Sequence, residues 1–425
     1  MDLLPIKTSM SRFDQRIQTH ADSKDGSRLQ TEIADVWQSI RGQKLYSGQP
    51  RTSHSDGAIA RSMAAFELAS QSNNKGLLAE ASRLVAHTLN AGEQYEESLE
   101  YYRKAVTLFD SVGAAEQASR SRLGFTAALY MAGNYKEALS NAMIAERWFQ
   151  ANDHQSGLAK VYGNLGNLYY RRDQHDIALQ YHRKARALFE QLQDWQGLAM
   201  TYLNLANCLS SADQLLEAEK MYNMCEELST SLAMQELFMQ ACYNKSYLMF
   251  LQGRSSEALH SFRAVRERFS RSGSRHHMSL CDLDVSEIYL HQLQPVEALS
   301  HARQAVEGFS KRAMRYEQAK ALAFSAMGLC LLDRLDEAES AGQSSRQMFE
   351  QEANRYWTSI ADFCLAYIRF ARRDVAHAWA LAAQAKHRLT GVELRAGTAG
   401  SLNRLESLAP GYMGELLKLT INKRR

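Results

Sequence analysis

Five asparagines recur at regular spacing in the middle of the chain. Asn164, Asn204 and Asn244 are each 40 residues apart, and Asn167 and Asn207 follow the first two by three residues. Residues three apart on an α-helix share a face, so the spacing predicts five amides on one face of three consecutive helices. Asparagine is a poor helix former, but its side chain carries both donors and an acceptor. This set suits hydrogen bonding to the backbone of an extended peptide, whatever the peptide's sequence.

Charged and aromatic side chains flank these amides on the same predicted face. The basic and aromatic members of the predicted peptide-binding set are Arg120, Lys160, Arg171, Tyr170 and Tyr247. Farther along the chain, Asp284 and Glu287 are acidic, while Tyr243 and Tyr367 offer flat apolar contact. An acidic peptide segment would favour the basic part of the surface through charge-assisted hydrogen bonds.

A purely structural role for the five amides is the alternative. Amides on neighbouring helices can bond to each other or to the next helix, forming a ladder that stabilises the stack and binds no ligand. An amide offers four hydrogen-bonding positions. The bracing role and the binding role are therefore compatible.

Motifs for catalysis and metal binding are absent from the sequence. It contains no Gly-x-Ser-x-Gly elbow, no phosphate loop of the Gly-x-x-x-x-Gly-Lys type and no His-Glu-x-x-His helix. The six cysteines have no Cys-x-x-Cys pair and no histidine at zinc spacing, which predicts buried free thiols. His276 and His277 are adjacent and would point about 100° apart on a helix, which is poor geometry for a metal pair. We expect no enzymatic activity, no metal and no cofactor.

Three columns of residues at a spacing of 40 indicate the elements that carry these side chains. The first column is small and comprises Ser98, Ala138, Ala178, Ala218, Ala258, Ala298, Ala338 and Ala378. The second is mostly aromatic and comprises Phe109, Phe149, Phe189, Ser229, Phe269, Phe309, Phe349 and Leu389. The third is again small and comprises Ala86, Thr126, Gly166, Ala206, Ser246, Ser286, Ala326 and Ala366. Small residues permit close helix approach, and the phenylalanine fills the gap to the next helix pair. A fixed period of this length is typical of a stacked helical solenoid.

Length and composition agree with an all-α protein. The 425 residues are 45% hydrophobic and 23% charged, enough to bury a long continuous core. Of the four prolines, only Pro295 lies inside the repeats, just before a second helix, where its fixed φ is tolerated. The formal net charge of +3 gives no argument for a nucleic-acid or membrane surface. Because the chain shows neither a long apolar run nor a signal-peptide pattern, we expect it in the cytoplasm.

The pattern divides the chain into four parts. Residues 1–27 are polar and predicted to be flexible, and residues 28–74 hold a degenerate capping helix pair interrupted by a predicted loop at Gly48–Asp56. Eight repeats occupy residues 75–390. Residues 391–425 are predicted to form a C-terminal cap and a basic tail.

Within the repeats, the sequence resembles a known family. Val161–Phe189 reads VYGNLGNLYYRRDQHDIALQYHRKARALF and resembles a tetratricopeptide repeat of the long, 40-residue kind. The residues on the family's consensus positions are Leu165, Gly166, Tyr169, Ala178 and Ala185. The chain departs from the shorter form in helix length and in lacking a regular tryptophan near the start of the first helix. It is similar to the arrays of kinesin light chain, spindle-orientation adaptors, large bacterial transcription activators and bacterial CHAT-domain proteins, and Leu283–Leu290 and Arg315–Ala321 resemble the last group most.

The resemblance implies a fold and a function. The fold would be a right-handed superhelical α-solenoid of about eight helix pairs with degenerate terminal caps, in which the first helix of each pair lines a concave groove. Asparagines at these positions clamp bound peptides in the family, which implies that role for the five asparagines here. The predicted function is a non-enzymatic scaffold that binds a peptide segment of a protein partner in this groove. The alternatives are a regulatory or sensory array controlling an effector encoded elsewhere, a CHAT-type protease or a transcription regulator, and a purely architectural assembly surface.

Overall fold

The structure is a computed structural model that describes residues 31, 33–35, 51–92, 94–172, 174–311, 314–351 and 354–389. Every element with defined bounds in these ranges is an α-helix. The helices are α1 (Arg51–Gln71), α2 (Lys75–Ala91), α3 (Tyr95–Ser111), α4 (Ala115–Met131), α5 (Tyr135–Ala151), α6 (Gln155–Arg171), α7 (His175–Gln191), α8 (Trp195–Ser211), α9 (Leu215–Ser231), α10 (Gln235–Leu251), α11 (Ser255–Arg271), α12 (Arg275–His291), α13 (Pro295–Ser310), α14 (Arg315–Leu331), α15 (Leu335–Gln351), α16 (Arg355–Ala371) and α17 (Val375–Leu389). None of these described helices is long and apolar enough to span a membrane.

From α2 onward the helices form consecutive pairs. We call the first helix of each pair the A helix (α2, α4, α6, α8, α10, α12, α14, α16) and the second the B helix. The all-α solenoid class predicted from the residue columns is confirmed. The predicted flexible segment and the predicted C-terminal cap and tail lie outside the described residues, and the four-part division stays a prediction.

The described residues group into two compact units. Unit 1 holds the residues up to Leu205 together with Glu227–Glu236, and unit 2 holds Ala206–Glu226 together with the residues from Leu237 onward. Each unit contains several stacked helix pairs of the same kind.

The predicted loop at Gly48–Asp56 is wrong from Arg51 onward, because α1 begins there. Small polar residues are common both in turns and at helix N-termini. Pro50 precedes the first helical residue, and its fixed φ suits a helix entry as well as a turn. The composition of this stretch therefore does not distinguish a loop from the first turn of a helix.

Short turns of one kind join the helices. In many of them one residue adopts a left-handed backbone conformation, at a spacing of 20 residues or a multiple of it, as in Gly113, Gly133, Asp153 and Gln193. After α3, the Ala114 N–H donates to the Phe109 carbonyl at 2.9 Å and the Gly113 N–H donates to the Asp110 carbonyl at 3.2 Å, the pair of bonds of a Schellman motif. These turns satisfy the last carbonyls of one helix and start the next helix at once.

The recurring columns form the core, as predicted. The phenylalanines at positions 109, 149, 269, 309 and 349 are at most 1% exposed. Phe149 packs with alanines of its own helix and with Leu158 and Val161 of the next A helix. In unit 2, Phe349 packs on Ala319 and Ala361 in the same way. Phe349 thus joins its B helix to the A helices on either side of it, and Phe109 does the same with Ala79 and Ala118.

The cysteines are free thiols, and five of the six are buried while Cys242 is partly exposed. Burial raises the pKa of the Cys364 thiol to about 12, so this group stays protonated at neutral pH. The prediction of buried free thiols is confirmed for those five.

Two glycines of α6 provide a test of the close helix packing. A Cβ at Gly166 would lie 2.4 Å from Cε1 of the buried His182, whereas a Cβ at Gly163 would meet nothing within 4 Å. We expect Gly166→Ala to lower the free energy of unfolding by about 2 kcal/mol through overpacking. Gly163→Ala should raise it by up to about 1 kcal/mol, since alanine is the better helix former. Urea unfolding of both variants measures the difference, and equal effects would contradict the close approach of α6 and α7.

Candidate peptide-binding surface

In unit 1, two of the predicted asparagines connect α6 to the preceding A helix, α4. The Asn164 Nδ2 donates to the backbone carbonyl of Leu123 at 2.9 Å. The Asn167 Nδ2 donates to the hydroxyl of Tyr130 at 3.5 Å. Burial raises the pKa of Tyr130, so its hydroxyl stays neutral. Both amides are half-buried and brace neighbouring A helices.

Asn204 differs from the other asparagines of the set. It lies on α8 at the position that Asn164 holds on α6, and it is half-buried. Among the residues that the structure describes, its amide has no hydrogen-bond partner. Its donors and acceptor are therefore not engaged in bracing the described helices.

In unit 2, Asn207 and Asn244 bond to each other. The Oδ1 of Asn207 accepts a hydrogen bond from the Nδ2 of Asn244 at 2.9 Å and another from the hydroxyl of Tyr222 at 2.7 Å. The first bond joins the A helices α8 and α10, and the second joins α8 to its own B helix, α9. The ladder proposed as the structural alternative is thus present in both units for part of the set.

The asparagine column continues into a carboxyl group. Asp284 follows Asn244 by 40 residues, is only 7% exposed and accepts a hydrogen bond from the hydroxyl of Tyr243. Burial raises the pKa of Asp284 from 3.8 to about 7, although Lys320 and the bond from Tyr243 oppose the shift. Close by, the hydroxyl of Tyr247 donates to Glu287 Oε2 at 3.3 Å. The predicted acidic end of this surface therefore contains a carboxyl group that is largely neutral below pH 7.

Two of the three predicted basic residues already contact other side chains of the protein. The guanidinium of Arg120 forms an ion pair with Glu116 at 2.7 Å on its own helix. That of Arg171 stands over the Tyr130 ring at 5.8 Å, next to the bond from Asn167. Lys160 is exposed. The predicted aromatic contact Tyr170 lies with its ring 5.3 Å from that of His175.

Sequence reasoning missed the hydroxyl partners Tyr130 and Tyr222. Tyr130 precedes the predicted Tyr170 by 40 residues, so the spacing already marked its position. Tyr222 had a weaker signal, because Tyr102 holds the same repeat position but Ala142, His182 and Phe262 hold it in other pairs. Only the approach of α8 and α9 shows that it reaches the amide of Asn207.

The chemistry of this surface is hydrogen bonding. Amides, tyrosine hydroxyls and carboxyl groups supply donors and acceptors along the A helices. Within the described ranges, no group of three or more His, Cys, Asp or Glu side chains could hold a metal ion.

Comparisons with known proteins agree on the type of repeat. A model of the tetratricopeptide repeat family matches residues 157–231. No curated protein sequence matches the chain. Among solved structures, a Rap protein complexed with Competence and Sporulation Factor is 13% identical, with 83% of this chain and 99% of that chain covered and a TM-score of 0.54.

Two further solved structures share the fold. The apo form of the quorum sensor NprR from B. thuringiensis is 10% identical, with 85% of this chain and 99% of that chain covered and a TM-score of 0.57. A signal transduction ATPase with numerous domains and a tetratricopeptide repeat sensor, from Pyrococcus horikoshii, is 13% identical, with 80% of this chain and 54% of that chain covered and a TM-score of 0.57. At such identities the likeness shows the fold alone.

The buried carboxyl group predicts an unusual pH dependence. Between pH 4 and 7 the folded protein holds a proton on Asp284 that the unfolded chain has released, so this group lowers stability as pH rises through that window. We expect Asp284→Asn, which restores the amide of the column, to raise the free energy of unfolding at pH 8 by roughly 2–4 kcal/mol and to change it little at pH 4. Urea unfolding across pH measures this. Asp176→Asn, at an exposed site, is the control, and a parallel effect of both variants at all pH values would contradict the assignment.

Proposed function

We propose that this chain, which is a tetratricopeptide repeat protein, is a non-enzymatic scaffold that binds a peptide segment of a protein partner along its A helices. The observation that carries the proposal is the row of half-buried asparagines on consecutive A helices. The helix-helix contacts themselves are made by small and aromatic residues, so core packing does not require amides at these positions.

The amides that brace the helices are also prepared to bind. Asn164 and Asn244 each use Nδ2 toward a neighbouring A helix, and among the described residues no donor bonds to their Oδ1 atoms. An amide anchored through its nitrogen presents its oxygen in a fixed orientation, which lowers the entropic cost of accepting a peptide N–H. Asn204 adds an amide with both groups unused by the described residues. Bracing and binding are therefore combined in one set of side chains.

Specificity would come from the side chains around the amides. Lys160 and Arg171 would favour an acidic stretch of the peptide, and Tyr170 and Tyr247 would add flat apolar contact. The proposal places the protein in the cytoplasm without a nucleic-acid or membrane partner, in keeping with its net charge of +3.

A second candidate function is a regulatory array that receives a peptide signal and controls an effector encoded elsewhere, a CHAT-type protease or a transcription regulator. It is favoured by the shared fold with a Rap protein complexed with Competence and Sporulation Factor and with the quorum sensor NprR. Both candidates use the same amides. They differ in the consequence of binding, which is assembly in the first case and a change in effector activity in the second.

Two single substitutions separate binding from bracing. Asn204→Ala removes an amide without a described partner, so we expect the free energy of unfolding to change by less than about 0.5 kcal/mol and partner capture to fall about fivefold or more. Asn207→Ala removes the acceptor of two hydrogen bonds and is expected to lower stability by about 1–2 kcal/mol. Urea unfolding measures the free energy of unfolding of each variant, and capture from native cell extract measures partner binding. Unchanged capture by folded Asn204→Ala would count against the proposal.

The combined variant tests the whole column. Asn164→Ala, Asn204→Ala and Asn244→Ala together are expected to weaken partner binding by well over tenfold, since each lost hydrogen bond contributes on the order of 1 kcal/mol. Helical content, measured by circular dichroism, should stay intact. Mass spectrometry of the proteins captured by each form names the partner. If both forms recover the same partners in equal amounts, the amides only brace the stack.

A further inference from the structure

A cavity of about 620 Å³ opens beside the B helix α11 in unit 2. It is lined by Ser256, Leu259, His260, Arg263, Tyr289, Gln292 and Gln294. The first four residues lie on one face of α11, and the others come from α12 and the turn that follows it. The volume falls in the range of small-ligand sites, about 300–1,000 Å³. None of the predicted peptide-binding residues contributes to it.

At other junctions of unit 2, where a B helix meets the A helix that follows it, side chains of the protein fill the place that corresponds to this cavity. One repeat earlier, Glu219 stands at the position of Leu259 and accepts hydrogen bonds from Arg254 at 2.9 Å and from Gln252 at 2.9 Å. Two repeats later, Glu339 at the same position forms ion pairs with Arg369 and Arg372.

At the junction of α13 and α14, two leucines fill the equivalent place. One repeat later, Leu299 and Leu329 hold the positions of Leu259 and Tyr289, are at most 5% exposed and belong to one apolar cluster. Leu259 and Tyr289 themselves are only half-buried. The junction of α11 and α12 therefore has neither the ion pair nor the packed leucines that fill the equivalent places.

The lining keeps one donor of the filled junction and lacks its acceptor. Gln292 stands at the position of Gln252, whose amide bonds to Glu219, whereas Gln294 stands in place of Arg254. Arg263 supplies a guanidinium from another position, on α11. Ser256, His260, Tyr289 and Gln294 add further polar groups. No carboxylate is among the lining residues.

Among the described residues Arg263 is unpaired, like Arg183 at the same repeat position and unlike Arg103 and Arg303. At the same repeat position, Arg103 pairs with Glu137 at 3.2 Å and Arg303 pairs with Glu337 at 3.7 Å. Glu297 occupies the matching position for Arg263, yet within the described part of the chain no ion pair joins the two or neutralises Arg263 in another way. The exposed guanidinium stays available at the rim of the cavity.

We propose that this cavity binds a carboxylate group from outside the chain, which takes the place that the Glu219 carboxylate occupies one repeat earlier. Arg263 provides the charge and a planar pair of donors, and Gln292 and Gln294 provide amide donors beside it. Leu259 and the Tyr289 ring contact the apolar part of the ligand. The carboxylate comes from an acidic side chain of a protein partner or from a free small carboxylic acid.

Calorimetric titration of the full chain at low ionic strength tests the proposal with two probes, citrate and a tetraglutamate peptide blocked at both ends. Arg263→Gln should weaken binding tenfold or more, since a charge-assisted hydrogen bond is lost. Leu259→Glu places a carboxylate where Glu219 has one and should abolish binding through occupation and repulsion. Arg303→Gln, on the next B helix and equally a loss of one surface charge, should leave the affinity within about twofold.

The outcomes distinguish a free carboxylic acid from a partner's acidic side chain, and they include results that would overturn the proposal. Binding of citrate alone assigns the site to a free acid, binding of the peptide alone assigns it to a partner segment, and binding of both supports the shared carboxylate chemistry. Absence of saturable binding to the wild type overturns the proposal, as does an equal loss in Arg263→Gln and Arg303→Gln. Thermal unfolding followed by circular dichroism shows that each variant is folded. Because Asn164, Asn204 and Asn244 lie outside the cavity, their combined alanine variant should bind both probes like the wild type, so this result is independent of the proposed peptide surface.

Discussion

Close approach of the A and B helices at the columns of small residues is the constraint on which the rest of the structure depends. The alanines of the first column from Ala138 to Ala338 are completely buried, and larger side chains there would push the helices apart. A single pair of short helices cannot cover its own apolar face, so each pair is stabilised by its neighbours. Because the contact repeats, residues 40 apart in sequence take equivalent positions on consecutive A helices.

This repetition decides what polar residues can do. A half-buried amide between two A helices must find a partner or remain reachable by a ligand, since burial without a hydrogen bond is costly. Asn164 and Asn244 reach the neighbouring A helix. Asp284, one step further along the column, is buried so deeply that its carboxyl group holds a proton up to about pH 7. One column thus contains both bracing amides and a group whose charge depends on pH.

Departures from the repeat indicate the places where function is to be sought. The junction beside α11 has the glutamine donor of its neighbour and the guanidinium of Arg263, without the carboxylate that is bound at the neighbouring junction. Asn204 has an amide without the bond that Asn164 makes at the same position. In both cases the scaffold is preserved and one interaction within it is missing. An external group of matching chemistry can supply that interaction.

The sequence by itself determined the helical class, the pairing of helices and the buried columns, because a strict period can be satisfied only if every repeat packs alike. It also located the amides, since their spacing matches that of the A helices. The start of α1 was not predictable, because turn formers and helix N-terminal residues are the same types. Only the tertiary structure decided that Tyr222 bonds to Asn207, that Asp284 is buried and that a cavity opens beside Arg263. These features depend on which side chains meet across neighbouring helices. The spacing of residues along one helix does not specify distances of a few ångströms between two helices.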